Sequence, residues 1–407
     1  MSYEILLLGI AVLIAIGILL HHPSKTLGIP SLLIFMGVGL ALGNGEFNFV
    51  YDNLAVTSMV GAVALNIIVF VGGINTSNES IKLAYKEGGV LSTLGVLFTT
   101  LILAALLYPL TEWSLVICLL FAAIVSSTDA AAVFSILESK KLKLKEKTDT
   151  VLEFESATND PVALVMVVIL TGIALAPDKA ISGWEIAQTL LIQLGAGVII
   201  AYLVGKLAVY LLNTIHLEEY GLIPVFVLAS FIIAAYGSDL AGGNILIASY
   251  VVGVVIGNGI KRGKEVNKHF FNSLSWLAQS LMFIILGLQI FPQTLFSVFF
   301  LSLIPAALLM FVARPLAVQL CYLPFREASW RKRLFISSIG LKGATPIVFS
   351  LIPAAAGVEG AIDLVHMVFF IVMFSILLQG GAIEPLANKL KLNNKANYAK
   401  GQSKENK

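Results

Sequence analysis

Charge is what this chain lacks. Asp, Glu, Lys and Arg make up 12% of its 407 residues, against about 25% in a soluble domain. That shortage comes with 58% hydrophobic residues and a mean hydropathy of +0.93. Together they exclude a water-soluble domain and describe an integral membrane protein embedded in the lipid bilayer throughout. Cysteine is scarce too. Cys118 and Cys321 both sit in apolar runs and form neither a disulfide framework nor a metal motif. A net charge of +2 gives no sign of nucleic acid as a partner, and no cofactor is expected. The first apolar run carries Glu4, follows no Lys or Arg and lacks a small-residue cleavage site, so it reads as a retained helix.

What is present is a series of apolar stretches. The pattern predicts thirteen spans, at about 3–20, 27–43, 55–74, 88–108, 113–137, 149–175, 185–212, 220–237, 244–259, 273–291, 294–322, 333–356 and 362–385. The cationic residues test that count. Of the 26 Lys and Arg, 22 fall in alternate loops and the C-terminal tail, led by Lys140, Lys141, Lys143, Lys145 and Lys147. The opposite loops hold only Lys179. This positive-inside bias predicts the N-terminus outside and the C-terminus in the cytoplasm. Thirteen spans divide as six, one and six, with inverted repeats at about 3–175 and 220–385 and a linker helix at about 185–212. The membrane domain then runs over 1–386, followed by a short tail, 387–407.

The most telling stretch is Phe154-Glu-Ser-Ala-Thr-Asn-Asp-Pro-Val-Ala163, in the middle of the sixth span. On a helix, Glu155, Ser156, Asn159 and Asp160 share an arc of roughly 140°. An ionisable side chain at that depth points to function. Polar helix contact alone would be a wasteful use of two carboxylates. Two other spans look breakable at matching places. The fifth holds Ser126-Ser-Thr-Asp129, and the twelfth holds Gly340-Leu-Lys-Gly-Ala-Thr-Pro346. Either would be an ordinary kink alone, but matched charged breaks suggest half-helices meeting a cation at the midplane.

Five charges lie deep: Asp129, Glu155, Asp160, Arg314 and Lys342. Buried charges pair, and two cations against three acids leave one acid free to exchange. Asp160 is the choice, flanked by Asn159 and followed by Pro161; its carboxylate can hold a proton or a dehydrated monovalent cation but not both. Asp129 either stabilises the N-terminal dipole of its own second half-helix or ligates the cation; the first is favoured. Glu155 is expected to pair with Lys342, and Arg314 with Asp129 or as a brace for the broken helices. Asp149 and Glu153 form an acidic mouth or a solvated helix start. His21-His22 reads as a solvated loop rather than a pH sensor.

Several motifs then occur in order: Ser127-Thr-Asp-Ala-Ala-Ala-Val-Phe134, Glu155-Ser-Ala-Thr-Asn-Asp-Pro161, Leu277-Ala-Gln279 through Leu286-Gly-Leu288, Ala313-Arg-Pro315 and Gly340-Leu-Lys-Gly-Ala344. Together they resemble the monovalent cation/proton antiporters of the Asn-Asp branch, above all the bacterial NhaP-type potassium/proton antiporters. The resemblance implies an all-α fold of thirteen helices, a homodimer in the bacterial inner membrane, and a six-helix core that moves against a dimerisation domain. It implies K+ or Na+ and H+ as substrates. It makes Asp160 the cation- and proton-binding carboxylate, with Ser156 and the hydroxyl or backbone of Thr128 as further ligands. Asn159 and Asp129 would support the crossing, and Glu155 would pair with the basic residue of the twelfth span. Asn159, where electrogenic relatives carry Asp, implies electroneutral exchange.

Two departures stand out. The family carries Arg where this chain has Lys342, which lacks the guanidinium fork. It also carries an acid before a Gly pair in the third span, where this chain has Val71. Many potassium-exchanging relatives continue into a soluble regulatory domain, so an unregulated or truncated form is expected. Rival readings are a cation channel, though no filter-like repeat is visible; an intramembrane aspartyl protease using Asp129 and Asp160, though its characteristic motifs are absent; and an organic-anion carrier, which the buried acids disfavour.

Overall fold

The computed structural model describes residues 31–42, 54–129, 142–177, 183–215, 219–288 and 295–393, with isolated residues between 8 and 19 and between 133 and 140. Most of the first predicted span, His21-His22, Lys179 and residues 394–407 of the tail lie outside the described residues. The isolated residues Leu8, Ala11, Val12, Ile14, Ala15, Ile18 and Leu19 are helical. The described helices are α1 (Ser31–Leu42), α2 (Leu54–Asn75), α3 (Asn78–Leu107), α4 (Leu115–Ile124), α5 (Lys145–Leu175), α6 (Gly183–Thr214), α7 (Leu222–Leu240), α8 (Ile245–Gly259), α9 (Lys264–Leu288), α10 (295–321), α11 (Trp330–Ser338), α12 (Ala344–Ala355) and α13 (Ala361–Lys389). Among the described residues the β structure is a single bridge, Leu144 with Asn393.

The helices begin where the sequence supplies a capping side chain. Ser77 Oγ accepts from Ser80 N at the start of α3, Ser114 from Ile117 N before α4, and Ser329 from Lys332 N before α11. Asn244 accepts from both Leu246 N and Ile247 N before α8. Each cap satisfies backbone donors that the first helical turn leaves unpaired. Eight described helices are long and apolar enough to cross a bilayer. α4 and α12 are shorter because the fifth and twelfth predicted spans are interrupted, at 125–129 and 339–343.

Two groups of helices pack together. In one, α1 lies on α9, α2 on α8 and α9, and α6 on α7 and α8. Glycines bring these backbones close. A Cβ on Gly73 would strike Tyr250 O, and one on Gly253 would strike Phe70 O. In the other group α3 packs on α5, α4 on α3 and α5, α10 on α11 and α13, and α12 on α13 and α5. α12 against α2 and α5 against α8 join the groups.

Three π-turns sit in the second group among the described residues, and two of them, Leu91–Gly95 in α3 and Leu309–Ala313 in α10, face each other. Each packs against the other's helix. The second immediately precedes Arg314-Pro315; proline offers no N–H, and a widened turn absorbs the missing bond. In the first, Ser92 and Thr93 hydroxyls return to Gly89 O.

Candidate functional site

The two interruptions cross. Asp129 N donates to Leu341 O at 2.8 Å, so the unwound strands satisfy each other's backbone. Lys342 reaches across the crossing, and its Nζ donates to Ser126 O at 3.0 Å and Ser127 O at 2.8 Å. Those carbonyls lie just past α4, at the negative end of its dipole. In return the Asp129 carboxylate lies against Gly343, where an added Cβ would collide with Oδ2. Gly343 is the N-cap of α12, the positive end of that helix. Each half-helix end therefore meets the opposite charge, supplied by the other broken span. Asp129 thus lies at the N-terminus of α12, while Val133 N donates to its carbonyl at 3.3 Å where its own span resumes.

α5 presents its polar arc to this crossing. Glu155, Ser156, Asn159 and Asp160 are all buried. Asn159 Nδ2 donates to Thr128 Oγ1 at 2.6 Å, while Thr128 N donates to Asn159 Oδ1 at 3.4 Å. One amide thus clamps a single residue of the unwound strand by side chain and backbone. Ser156 Oγ and Thr128 Oγ1 share a hydrogen bond of 2.9 Å. Asp160 Oδ2 accepts from Thr345 Oγ1 at 3.1 Å. Asp160 Oδ1 and Ser127 Oγ are buried without a hydrogen-bond partner among the described residues. The arrangement gathers oxygens and no sulfur or imidazole, a donor set suited to hard cations. It can hold one small cation or one proton at Asp160.

The ion pairing differs from the sequence expectation. Glu155 pairs with Arg314, not with Lys342: Arg314 Nη2 stands 2.6 Å from Glu155 Oε1, and both side chains are almost wholly buried. The physical reason is geometric. The Lys342 ammonium is a point donor already committed to two carbonyls, whereas Arg314 leaves the π-turn of α10 aimed at α5. Arg314 also packs against Gly340, whose missing side chain leaves room for the guanidinium. Asp149 caps local backbone, accepting from Leu144 N and Thr150 N, which fits the helix-start reading. Val71 is buried among Phe70, Ile74 and the helices of the first group.

Sequence reasoning did not assign Thr345, Ser127, Ser375 or Gln379. Thr345 lies inside the quoted Gly340–Pro346 stretch, so a signal was at hand; Ser375 and Gln379 sit in an apolar run with none. A cavity of about 470 Å³ opens between α3, α5, α6 and α8, lined by Asn78, Phe154, Lys206, Tyr250 and Asn258 among others.

The family described as sodium/hydrogen exchanger, transmembrane, matches residues 10–389. A K(+)/H(+) antiporter NhaP2 of Shewanella sp. (strain ANA-3) is 36% identical over 383 residues, 94% of this chain. This chain spans 66% of that relative's length. A K(+)/H(+) antiporter NhaP of Alkalimonas amylolytica is 35% identical, covering 96% of this chain and 68% of the relative. Among solved structures, the sodium proton antiporter MjNhaP1 from Methanocaldococcus jannaschii shares the fold. Its TM-score is 0.82 at 20% identity, over 96% of this chain and 99% of that one.

Proposed function

This chain belongs to the sodium/hydrogen exchanger family, and from that premise we propose that it exchanges K+ for H+ across the membrane, electroneutrally and by alternating access. Na+ is the alternative cation for the same site. The observation that carries the reading is the buried Asp160 carboxylate at the crossing, with one oxygen held by Thr345 and the other without a partner of good geometry, the Ser127 hydroxyl being its neighbour. A carboxylate buried at this depth among neutral hydroxyls and amides demands a positive partner, and proton and cation compete for it. Ser156 and Thr128 add neutral oxygens, and their hydrogen bond keeps them together.

Electroneutrality rests on the other charges being occupied. Lys342 is held on the carbonyls after α4, Glu155 is paired with Arg314, and Asn159 spends its amide on Thr128. With Asp129 set against the N-terminus of α12, that leaves Asp160 as the exchanging acid and one charge per half-cycle. The preference for K+ rests on the two relatives named as K(+)/H(+) antiporters. The Lys and Arg bias supports an N-terminus outside and a C-terminus in the cytoplasm, and the bacterial relatives support a bacterial inner membrane.

The test is cation-induced proton movement in proteoliposomes, with K+ and Na+ titrated separately against wild type and Asp160→Asn. The reading expects exchange that an imposed membrane potential does not alter, a lower half-saturation for K+, and no exchange in the variant. A wild-type protein inert to both ions sinks the antiport reading, and a fully active variant removes Asp160 from it.

A further inference from the structure

A break in a membrane helix strands backbone groups at a depth where water cannot serve them. At the first break α5, the next helix in the chain, meets that need through Asn159, which holds Thr128. At the second break the helix that follows the broken span does so, and this helix is α13. Lys342 N donates to Ser375 Oγ at 2.8 Å. Ser375 Oγ donates to Gln379 Oε1 at 2.6 Å, and Gln379 Nε2 donates to Ser338 O at 3.0 Å.

The direction of this chain is forced. A backbone N–H only donates, so the Ser375 hydroxyl must pass its own proton to the amide oxygen of Gln379. That turns the amide nitrogen toward Ser338. Ser338 is the last residue of α11, and Lys342 stands two residues before α12. The pair therefore grips both sides of the gap. Both side chains are buried, and both belong to a π-turn, Ser375–Gly380, interrupting α13. Apolar residues would fill the same space; a serine and a glutamine here serve the broken strand.

The strand so held carries Lys342, whose ammonium rests on Ser126 O and Ser127 O. We infer that Ser375 and Gln379 are positioning residues for the cation site: by fixing the Lys342 backbone they hold its ammonium at the crossing and so set the balance between cation and proton at Asp160. The inference rests on the antiport reading. The charged groups at the crossing are Asp129, Glu155, Asp160, Arg314 and Lys342; Ser375 and Gln379 do not titrate.

The experiment compares wild type, Ser375→Ala, Gln379→Leu and the hydroxyl-preserving Ser375→Thr. If the ammonium retreats, the carboxylate loses a neighbouring positive charge and keeps its proton to higher pH. The first two variants should move the midpoint of the pH–activity profile upward. The same loss of repulsion favours the cation, so the cation KM measured above that midpoint should fall about threefold to tenfold, the equivalent of up to about one pH unit, with Vmax within about twofold. Ser375→Thr should restore the wild-type profile. Hydrogen–deuterium exchange in detergent should show faster exchange at residues 338–343 in the first two variants only. An unmoved profile and KM in folded Ser375→Ala and Gln379→Leu overturn the inference, as does a fall in Vmax alone that Ser375→Thr fails to rescue. A wild type that exchanges neither ion overturns the antiport reading, and amide exchange still decides whether the clamp exists.

Discussion

At the scale of single residues, the crossing works by giving the buried charges other than Asp160 distinct partners. Glu155 and Arg314 neutralise each other at 2.6 Å. Removing one member of such a pair strands the other, at a cost of about 3–5 kcal/mol, whereas replacing both by apolar residues is often neutral. Glu155→Gln or Arg314→Leu should therefore lower the thermal midpoint of the purified protein sharply, and the double change Glu155→Leu with Arg314→Leu should recover most of it. Singles that melt like wild type would show the pair to be dispensable. By contrast the Lys140–Glu384 pair is exposed on both sides, and its loss should be silent. Thr345 matters differently, because its hydroxyl donates to the ionised form of Asp160. Thr345→Val removes a bond that favours the charged carboxylate. The pH–activity profile should move to higher pH by about half a unit; a shift the other way would place the hydroxyl on the protonated form.

At the scale of elements, helix ends and helix crossings carry the design. α4 ends and α12 begins at the same point in space because Lys342 and Asp129 exchange places across it. Among the continuous helices, α2 and α8 touch through Gly73 and Gly253. A Cβ on Gly253 meets backbone, which cannot yield as a side chain can. Gly253→Ala should destabilise by about 1–3 kcal/mol. Gly237→Ala in α7, with nothing within 4 Å of the added carbon, should be neutral or gain up to about 1 kcal/mol from helix propensity. Paired thermal melts decide this, and equal losses at both sites would contradict the close crossing. The segment after α13 also engages the site helix: Lys145 N donates to Leu392 O at 2.8 Å, and Leu142, Leu144, Leu390 and Leu392 share one apolar cluster.

At the scale of the whole molecule, the two packing groups meet along α2 with α12 and α5 with α8, and the cavity of about 470 Å³ lies on that boundary. Alternating access requires one group to move against the other. Phe154 on α5 and Val254 on α8 both line the cavity. Cysteines at these two positions, joined by a short bifunctional thiol reagent, should abolish exchange, and a cleavable linker should restore it on reduction. Undiminished exchange in fully cross-linked protein would mean that this boundary stays still during transport. The native Cys118 and Cys321 are buried and should not interfere.

The sequence by itself determined the membrane class, the helical architecture and the polar face of α5. These follow from hydropathy, from helical period and from the expense of burying charge, all properties of consecutive residues. It also exposed both breaks, since Ser126–Asp129 and Gly340–Pro346 interrupt otherwise apolar runs. The pairing of the five charges was decided only by the tertiary structure. Glu155 and Arg314 are 159 positions apart in sequence, and no local pattern says which cation faces which acid. Lys342 differs from the expected partner because its ammonium lies nearer the carbonyls freed by α4 than its chain position suggests. Ser375 and Gln379 were invisible for the same reason: a neutral side chain in an apolar run gains meaning only when a broken backbone from another helix is laid against it.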